Sequence, residues 1–154
     1  MSSTHTLPEE VLINIRELLN TDQAEKALQL IHRTGSQLPE MKNAQGVCLL
    51  RLGRIEGAID VLRELVFQKQ LCIPENTPPL YQANYATALL LKHYNQMAIE
   101  IIKSLPNSDH PYIGQLVQAI HQWQQSLPLH QWFRCLVKLY PPTPVTLKFQ
   151  PGQV

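Results

Sequence analysis

Cysteine and histidine are the side chains of this chain that could carry nucleophilic, redox or metal chemistry. The three cysteines, Cys48, Cys72 and Cys135, are odd in number, widely spaced and without a CxxC pair. This pattern fits neither a disulfide framework nor a zinc cluster, so we expect free thiols. Cys48 and Cys135 stand among apolar residues and are expected to be buried and inert. Only Cys72, in a proline-rich stretch, is a candidate reactive thiol.

The histidines and the common catalytic motifs give no stronger signal. His110, His121 and His130 do not form a repeated i, i+4 pair and are expected to be surface or interhelical residues rather than metal ligands. The chain has no glycine-rich phosphate loop, GxSxG elbow or HExxH pair. We predict no enzyme activity, cofactor or metal, and keep a thiol-dependent enzyme using Cys72 as an alternative.

Composition narrows the class of partner. The 154 residues are 44% hydrophobic and 16% charged, which predicts a folded chain of one domain. A net charge of +1 supplies no broad field for nucleic acid or anionic lipid, so neither is an expected partner. The first residues lack a secretory pattern and no window has eighteen uninterrupted apolar residues, so we expect a soluble, cytoplasmic protein.

Proline and glycine divide the chain into segments with apolar residues at helical spacing, and no run of strands is predicted. The first helix begins with a capping-box pattern from Thr6 to Glu9, and Asp22 is expected to cap the second helix. The predicted helices cover approximately residues 7–19, 22–34, 39–52, 55–68, 80–92, 95–105, 111–126 and 129–140.

An internal repeat connects these helices. Ala27, Ala58 and Ala98 each begin an Ala-Leu or Ala-Ile step early in the second helix of a pair. Small residues at such positions let two helices approach closely. The aligned positions are Ile31, Leu62 and Ile102 four residues later, Leu18, Leu49 and Leu89 nine residues earlier, and Ile15, Gly46 and Ala86 twelve residues earlier.

In this register the chain resembles the tetratricopeptide repeat family over residues 7–106. The best copy, 44–65, matches the family's small residue, large apolar residue, turn glycine and helix-B alanine at Gly46, Leu49, Gly53 and Ala58. A second copy, residues 84–106, has His93 in place of the turn glycine. The aligned alanines are 31 and 40 residues apart, whereas the family's period is about 34.

The resemblance implies an all-α fold, a right-handed stack of antiparallel helix pairs at about 7–34, 39–68 and 79–105. We expect helices in 110–140 to cap this stack, with the stripe of Trp132, Phe133 and Leu136 covering the last pair. Residues 1–140 would form the helical domain, and the proline-rich residues 141–154 an extended tail.

The resemblance also implies a concave groove, lined by the first helix of each pair, that binds a peptide or helix of another protein. An adaptor or small chaperone is the expected function. The alternative for Val47, Leu50 and Leu91 is that they pack against neighbouring pairs or a dimer partner. The alternative function is a structural subunit, whose apolar faces would be buried in a homo-oligomer with no groove left. The residues expected to face the groove are Leu12, Arg16, Asn43, Val47, Leu50, Arg51, Ala83, Asn84, Thr87 and Leu91.

Asn84 is the polar residue of most interest. Its amide could hold a ligand's main chain through donor and acceptor, or could bond to the adjacent helix pair. Other residues of the family's acidic C-terminus clamp are absent, so we do not expect that mode. The tail, with Val145, Leu147 and Phe149 alternating, either occupies a groove, its own or that of a second copy, or is disordered.

Overall fold

The computed structural model describes residues 6–35, 37–105 and 110–154, without the side chains of residues 6–8. The described chain is all-helical and contains no strand, which confirms the predicted all-α class. The capping role expected of Thr6 and the break at 106–109 lie outside what is described. The helices are α1 Thr6–Asn20, α2 Ala24–Thr34, α3 Pro39–Arg51, α4 Ile55–Phe67, α5 Pro79–Leu91, α6 Asn95–Ser104, α7 Pro111–Ser126 and α8 Leu129–Leu136.

Each helix packs against the next one in the chain, and the odd-numbered helices also contact one another. Contacts join α1 to α3, α3 to α5 and α5 to α7, while within the described residues none joins α2 to α4 or α4 to α6. The odd-numbered helices therefore line one side of the stack, which we call the inner face. No helix in the described ranges is long and apolar enough to cross a membrane.

The small residues of the repeat register lie where the helices cross. Ala27, Ala58 and Ala98 are fully buried. A Cβ added at Gly46 would lie 2.5 Å from Cγ of Leu62, so the α3 backbone approaches α4 so closely that a side chain here would force Leu62 to move. The expected close approach at this position is confirmed.

The turns inside the three helix pairs share one geometry. Asp22, Gly53 and His93 have φ of 57°, 70° and 66°, in the left-handed region. In each turn the following N–H donates to the carbonyl of the register leucine: Gln23 to Leu18, Arg54 to Leu49 and Tyr94 to Leu89. The prediction that Asp22 caps α2 is wrong, because the N-cap position is Gln23 and Asp22 closes the turn instead. Aspartate and histidine here adopt the conformation that glycine adopts in the middle copy.

The end of the stack differs from the expectation for the Trp132 stripe. No residue of α8 is buried, and Trp132, Phe133 and Leu136 are 40%, 55% and 61% exposed. They do not cover the last pair. The physical reason lies downstream: Tyr140 and Val145 are buried against the core, so residues after α8 occupy space that the stripe was expected to fill.

Candidate peptide-binding groove

Residues 141–154, the tail segment, return along the inner face from the last helix pair toward the first. Near α6, the Asn95 amide donates to the carbonyls of Pro141 and Thr143, both at 2.7 Å. The Trp123 indole N–H of α7 donates to the hydroxyl of Thr143 at 3.1 Å. These bonds fix where the segment enters the inner face.

The middle of the tail segment is anchored by apolar side chains. Val145 is 6% exposed and belongs to the main core. Phe149 meets Tyr112 of α7 edge to face, with ring centroids 5.7 Å apart. Aromatic pairs prefer this geometry, and the contact places the following residues over α5 and α3.

Gly152 and Gln153 are bound through their main chain. The Gly152 N–H donates to the Tyr112 hydroxyl at 2.7 Å, and its carbonyl accepts from Arg51 Nη2 at 3.2 Å. The Gln153 N–H donates to Asn84 Oδ1 at 3.0 Å. Its carbonyl accepts from Asn84 Nδ2 at 2.7 Å and Asn43 Nδ2 at 3.2 Å. Every main-chain donor and acceptor of this dipeptide thus has a side-chain partner on α3, α5 or α7.

The Tyr112 hydroxyl connects the tail segment to α5. The Thr87 hydroxyl donates to the Ala83 carbonyl at 2.8 Å and lies 2.7 Å from the Tyr112 oxygen. Since Thr87 has one hydroxyl proton, Tyr112 must donate to Thr87 and accept from Gly152. Burial raises the pKa of Tyr112 to about 12, so the phenol stays protonated at neutral pH and the chain of bonds keeps one direction.

Arg51 joins α3 to both α1 and the tail segment. Besides its bond to Gly152, its Nη1 donates to the Leu19 carbonyl at 2.6 Å. Partial burial lowers the pKa of Arg51, but an arginine remains charged at neutral pH. Among the described residues its buried Nε has no hydrogen-bond partner. Arg51 therefore supplies a charged, half-buried donor to a main-chain carbonyl of the tail segment.

The residues predicted to face the groove fall into three sets. Asn43, Arg51 and Asn84 bind the tail segment directly, and Asn84 also donates to Asn43 of the neighbouring pair at 2.8 Å, as its second alternative predicts. Val47 and Leu50 lie beneath Gly152, while Ala83 and Thr87 are buried and support Tyr112. The last set shows no polar contact with the tail segment: Leu12 and Leu91 are half-buried, and exposed Arg16 lies beside Gln153 and Val154.

Sequence reasoning missed Asn95, Tyr112 and Trp123. All three lie outside the aligned positions of the repeat, so the register could not select them. One usable signal was chemical: a buried tyrosine or tryptophan needs a partner for its polar atom. Tyr112 and Trp123 satisfy that need with the tail segment.

Burial raises the pKa of two of the three thiols. Cys48 is fully buried, and burial raises its pKa to about 12, so the thiol is protonated at neutral pH. Burial also raises the pKa of the half-buried Cys135, and Cys72 is exposed. Within the described ranges no three His, Cys, Asp or Glu residues are grouped to hold a metal ion. The side chains around Gly152 and Gln153 are hydrogen-bonding and apolar groups.

Comparison with protein-family models, with curated proteins and with solved structures gives no match. Fold and site together describe an all-α protein of packed helix pairs whose inner face holds an extended segment by its main chain.

Proposed function

We propose that this chain is a non-catalytic, tetratricopeptide-like interaction module, an adaptor or small chaperone, whose inner-face groove binds an extended segment of another protein. One observation carries the proposal: the groove binds all the main-chain polar groups of Gly152 and Gln153. Hydrogen bonds to the main chain give affinity for an extended segment whatever most of its side chains are.

The burial of the binding side chains supports the proposal. Asn84 is 0% and Asn43 2% exposed, so both amides are buried among core residues. Buried polar groups cost free energy unless they are hydrogen-bonded. Asn84 Oδ1 finds its partner in the N–H of Gln153, so the groove is most stable when a main chain lies in it.

A second candidate is a structural subunit of a homo-oligomer, favoured by the exposed apolar stripe of α8. In that case Leu136→Asp would convert an oligomer to a monomer. Light scattering across a range of protein concentrations measures this directly. A parent that is monomeric at every concentration removes this candidate.

The main proposal is tested on the intact chain after the tail segment has been displaced from the groove. Gly152→Val should displace the dipeptide, because a Cβ there would lie 3.0 Å from both methyl carbons of Val47. A fluorescent peptide with the sequence of residues 147–154 is then titrated and followed by anisotropy. We expect saturable binding by this variant, and loss of that binding when Asn84→Ala is added.

Asn14→Ala, at an exposed position of α1, is the matched control and should leave peptide binding unchanged. Circular dichroism of each variant checks that helicity is retained. Absence of saturable binding, or binding that Asn84→Ala leaves intact, would contradict the proposal.

A further inference from the structure

Gly152 is held in a place that disfavours every larger residue, for two separate reasons. Its φ of 81° lies in the left-handed region, which residues other than glycine rarely adopt. A Cβ at this position would also lie 3.0 Å from Cγ1 and Cγ2 of Val47 and 3.3 Å from Cδ1 of Leu50. Conformation and space therefore both select against any larger residue.

The surface beneath Gly152 cannot easily move away. Val47 and Leu50 are 0% and 2% exposed, and both belong to the packed core formed by α3 and its neighbours. Close-packed interiors accommodate even one added carbon poorly. The contact thus works as a steric filter.

The contacts of the next residue, Gln153, differ from those of Gly152. Gln153 is bound by its N–H and carbonyl, and no hydrogen bond joins its side chain to another described residue. The side chain is half-buried beside Arg16 and Asn20 at the end of the inner face. Three positions before the glycine, Phe149 supplies the ring that meets Tyr112.

We infer that the groove selects its partner by a glycine: it binds extended segments that present an aromatic residue and, three positions later, a glycine in the left-handed conformation, with little preference for the side chain that follows. This inference rests on the proposed function and names the class of segment that the groove takes. The tail segment has this pattern in Phe149-Gln-Pro-Gly152 and occupies the site itself.

The tail segment is consequently a competitor of the partner. A segment attached to its own groove acts at an effective concentration that reaches millimolar for short connections. A partner must displace it, so the parent chain should bind an external segment more weakly than a chain whose tail segment has been released.

The experiment compares three peptides with the sequence of residues 147–154: the natural one, one with Gly152→Ala and one with Gln153→Ala. Each is titrated by fluorescence anisotropy into the intact chain carrying Gly152→Val. We expect the Gly152→Ala peptide to bind at least about tenfold more weakly than the natural peptide, and the Gln153→Ala peptide within about threefold of it. The parent chain should bind the natural peptide at least about tenfold more weakly than the variant does.

A compensating change tests the steric cause. Val47→Ala in the same receptor removes the two methyl carbons that a Cβ would meet, so it should recover part of the affinity for the Gly152→Ala peptide. Recovery stays partial because the left-handed conformation still disfavours alanine. If Gly152→Val impairs folding, Phe149→Ser, which removes the contact with Tyr112, releases the tail segment instead.

The possible outcomes separate the two proposals. Equal affinity for the glycine and alanine peptides overturns the glycine filter and leaves the proposed function standing. If no peptide binds the Gly152→Val chain or the Phe149→Ser chain, the proposed function and the glycine filter are both wrong. If the parent chain and the chain with a released tail segment bind the natural peptide equally well, the inference that the tail segment competes with a partner is wrong.

Discussion

The amide of Asn84 pairs with both main-chain groups of Gln153, donating to its carbonyl at 2.7 Å and accepting from its N–H at 3.0 Å. This is the pairing that a neighbouring strand would provide, supplied here by one fully buried helical side chain. Asn43 fixes the orientation of the amide, because its Oδ1 accepts a further bond from Asn84 Nδ2 at 2.8 Å. The two asparagines together hold the main chain of Gln153.

Asn84→Ala in the parent should destabilise the protein as well as release the tail segment. The change leaves the Gln153 N–H without its partner and removes the bond to Asn43, so we expect a loss of about 1–3 kcal/mol in the free energy of unfolding. Urea unfolding gives the stability, and hydrogen exchange at Gln153 gives the release. Slow exchange at Gln153 in this variant would show that Asn84 does not hold the segment.

Tyr112→Phe should change how stability depends on pH. The pKa of Tyr112 is raised from 10.0 to about 12 in the folded protein, so the folded state holds the phenolic proton more tightly than the unfolded chain. The resulting stabilisation is fully present below pH 10 and is lost as the pH rises toward 12; it amounts to about 3 kcal/mol at most.

Near neutral pH we expect Tyr112→Phe to be less stable than the parent by about 1–3 kcal/mol, because two hydrogen bonds are lost. The difference should narrow as the pH rises from 10 toward 12 in urea unfolding. Cys48, whose pKa is also raised to about 12, titrates in both proteins and cancels in the comparison. A constant difference over this range would exclude Tyr112 as the titrating group.

His93→Gly should stabilise the protein. His93 is exposed with φ of 66°, a conformation that costs a side-chain residue more than glycine. We expect a gain of about 0.5–1 kcal/mol in unfolding free energy. Gly53→Ala is the reverse change at the equivalent turn, where no atom lies within 4 Å of an added Cβ, and should cost about 1 kcal/mol. Changes of the same sign at both sites would show that the turns are not equivalent.

Gly46→Ala and Gly57→Ala should act in opposite directions. At Gly46 the new Cβ would lie 2.5 Å from Cγ of Leu62, so we expect a loss of about 1–3 kcal/mol from overpacking. At Gly57 the nearest atom is 3.6 Å away, which is ordinary contact, and alanine should gain about 0.5–1 kcal/mol from its helix propensity. Thermal unfolding of both variants measures the contrast, and equal effects would refute the close crossing of α3 and α4.

Leu136→Ala should have little effect on stability, although it removes a large apolar side chain. Leu136 is 61% exposed on α8, so we expect a change below about 0.5 kcal/mol. Leu116→Ala is the matched control: Leu116 is fully buried in α7, and the same substitution should cost about 2–5 kcal/mol. Similar costs at both positions would mean that the α8 stripe is covered in solution.

The helical pattern was predictable where it depends on neighbouring residues. Apolar residues that recur at helical spacing predicted the eight helices of the described residues, and the small residues Gly46 and Ala58 marked where two helices cross. Such features follow from local geometry and from side-chain volume, which a sequence displays directly. The α8 stripe misled the same reasoning, because an apolar face predicts burial without saying which surface is available to bury it.

The sequence by itself determined the all-α class, the register of helix pairs and the candidate residues Asn43, Arg51 and Asn84 on one side of the stack. Only the tertiary structure decided what those residues bind. Pairing Gln153 with Asn84 joins positions 69 residues apart, and the path of residues 141–154 depends on Asn95, Trp123 and Tyr112 being brought together by packing. Periodicity records which side of a helix is apolar, whereas the partner of a buried amide depends on the arrangement of several helices in space.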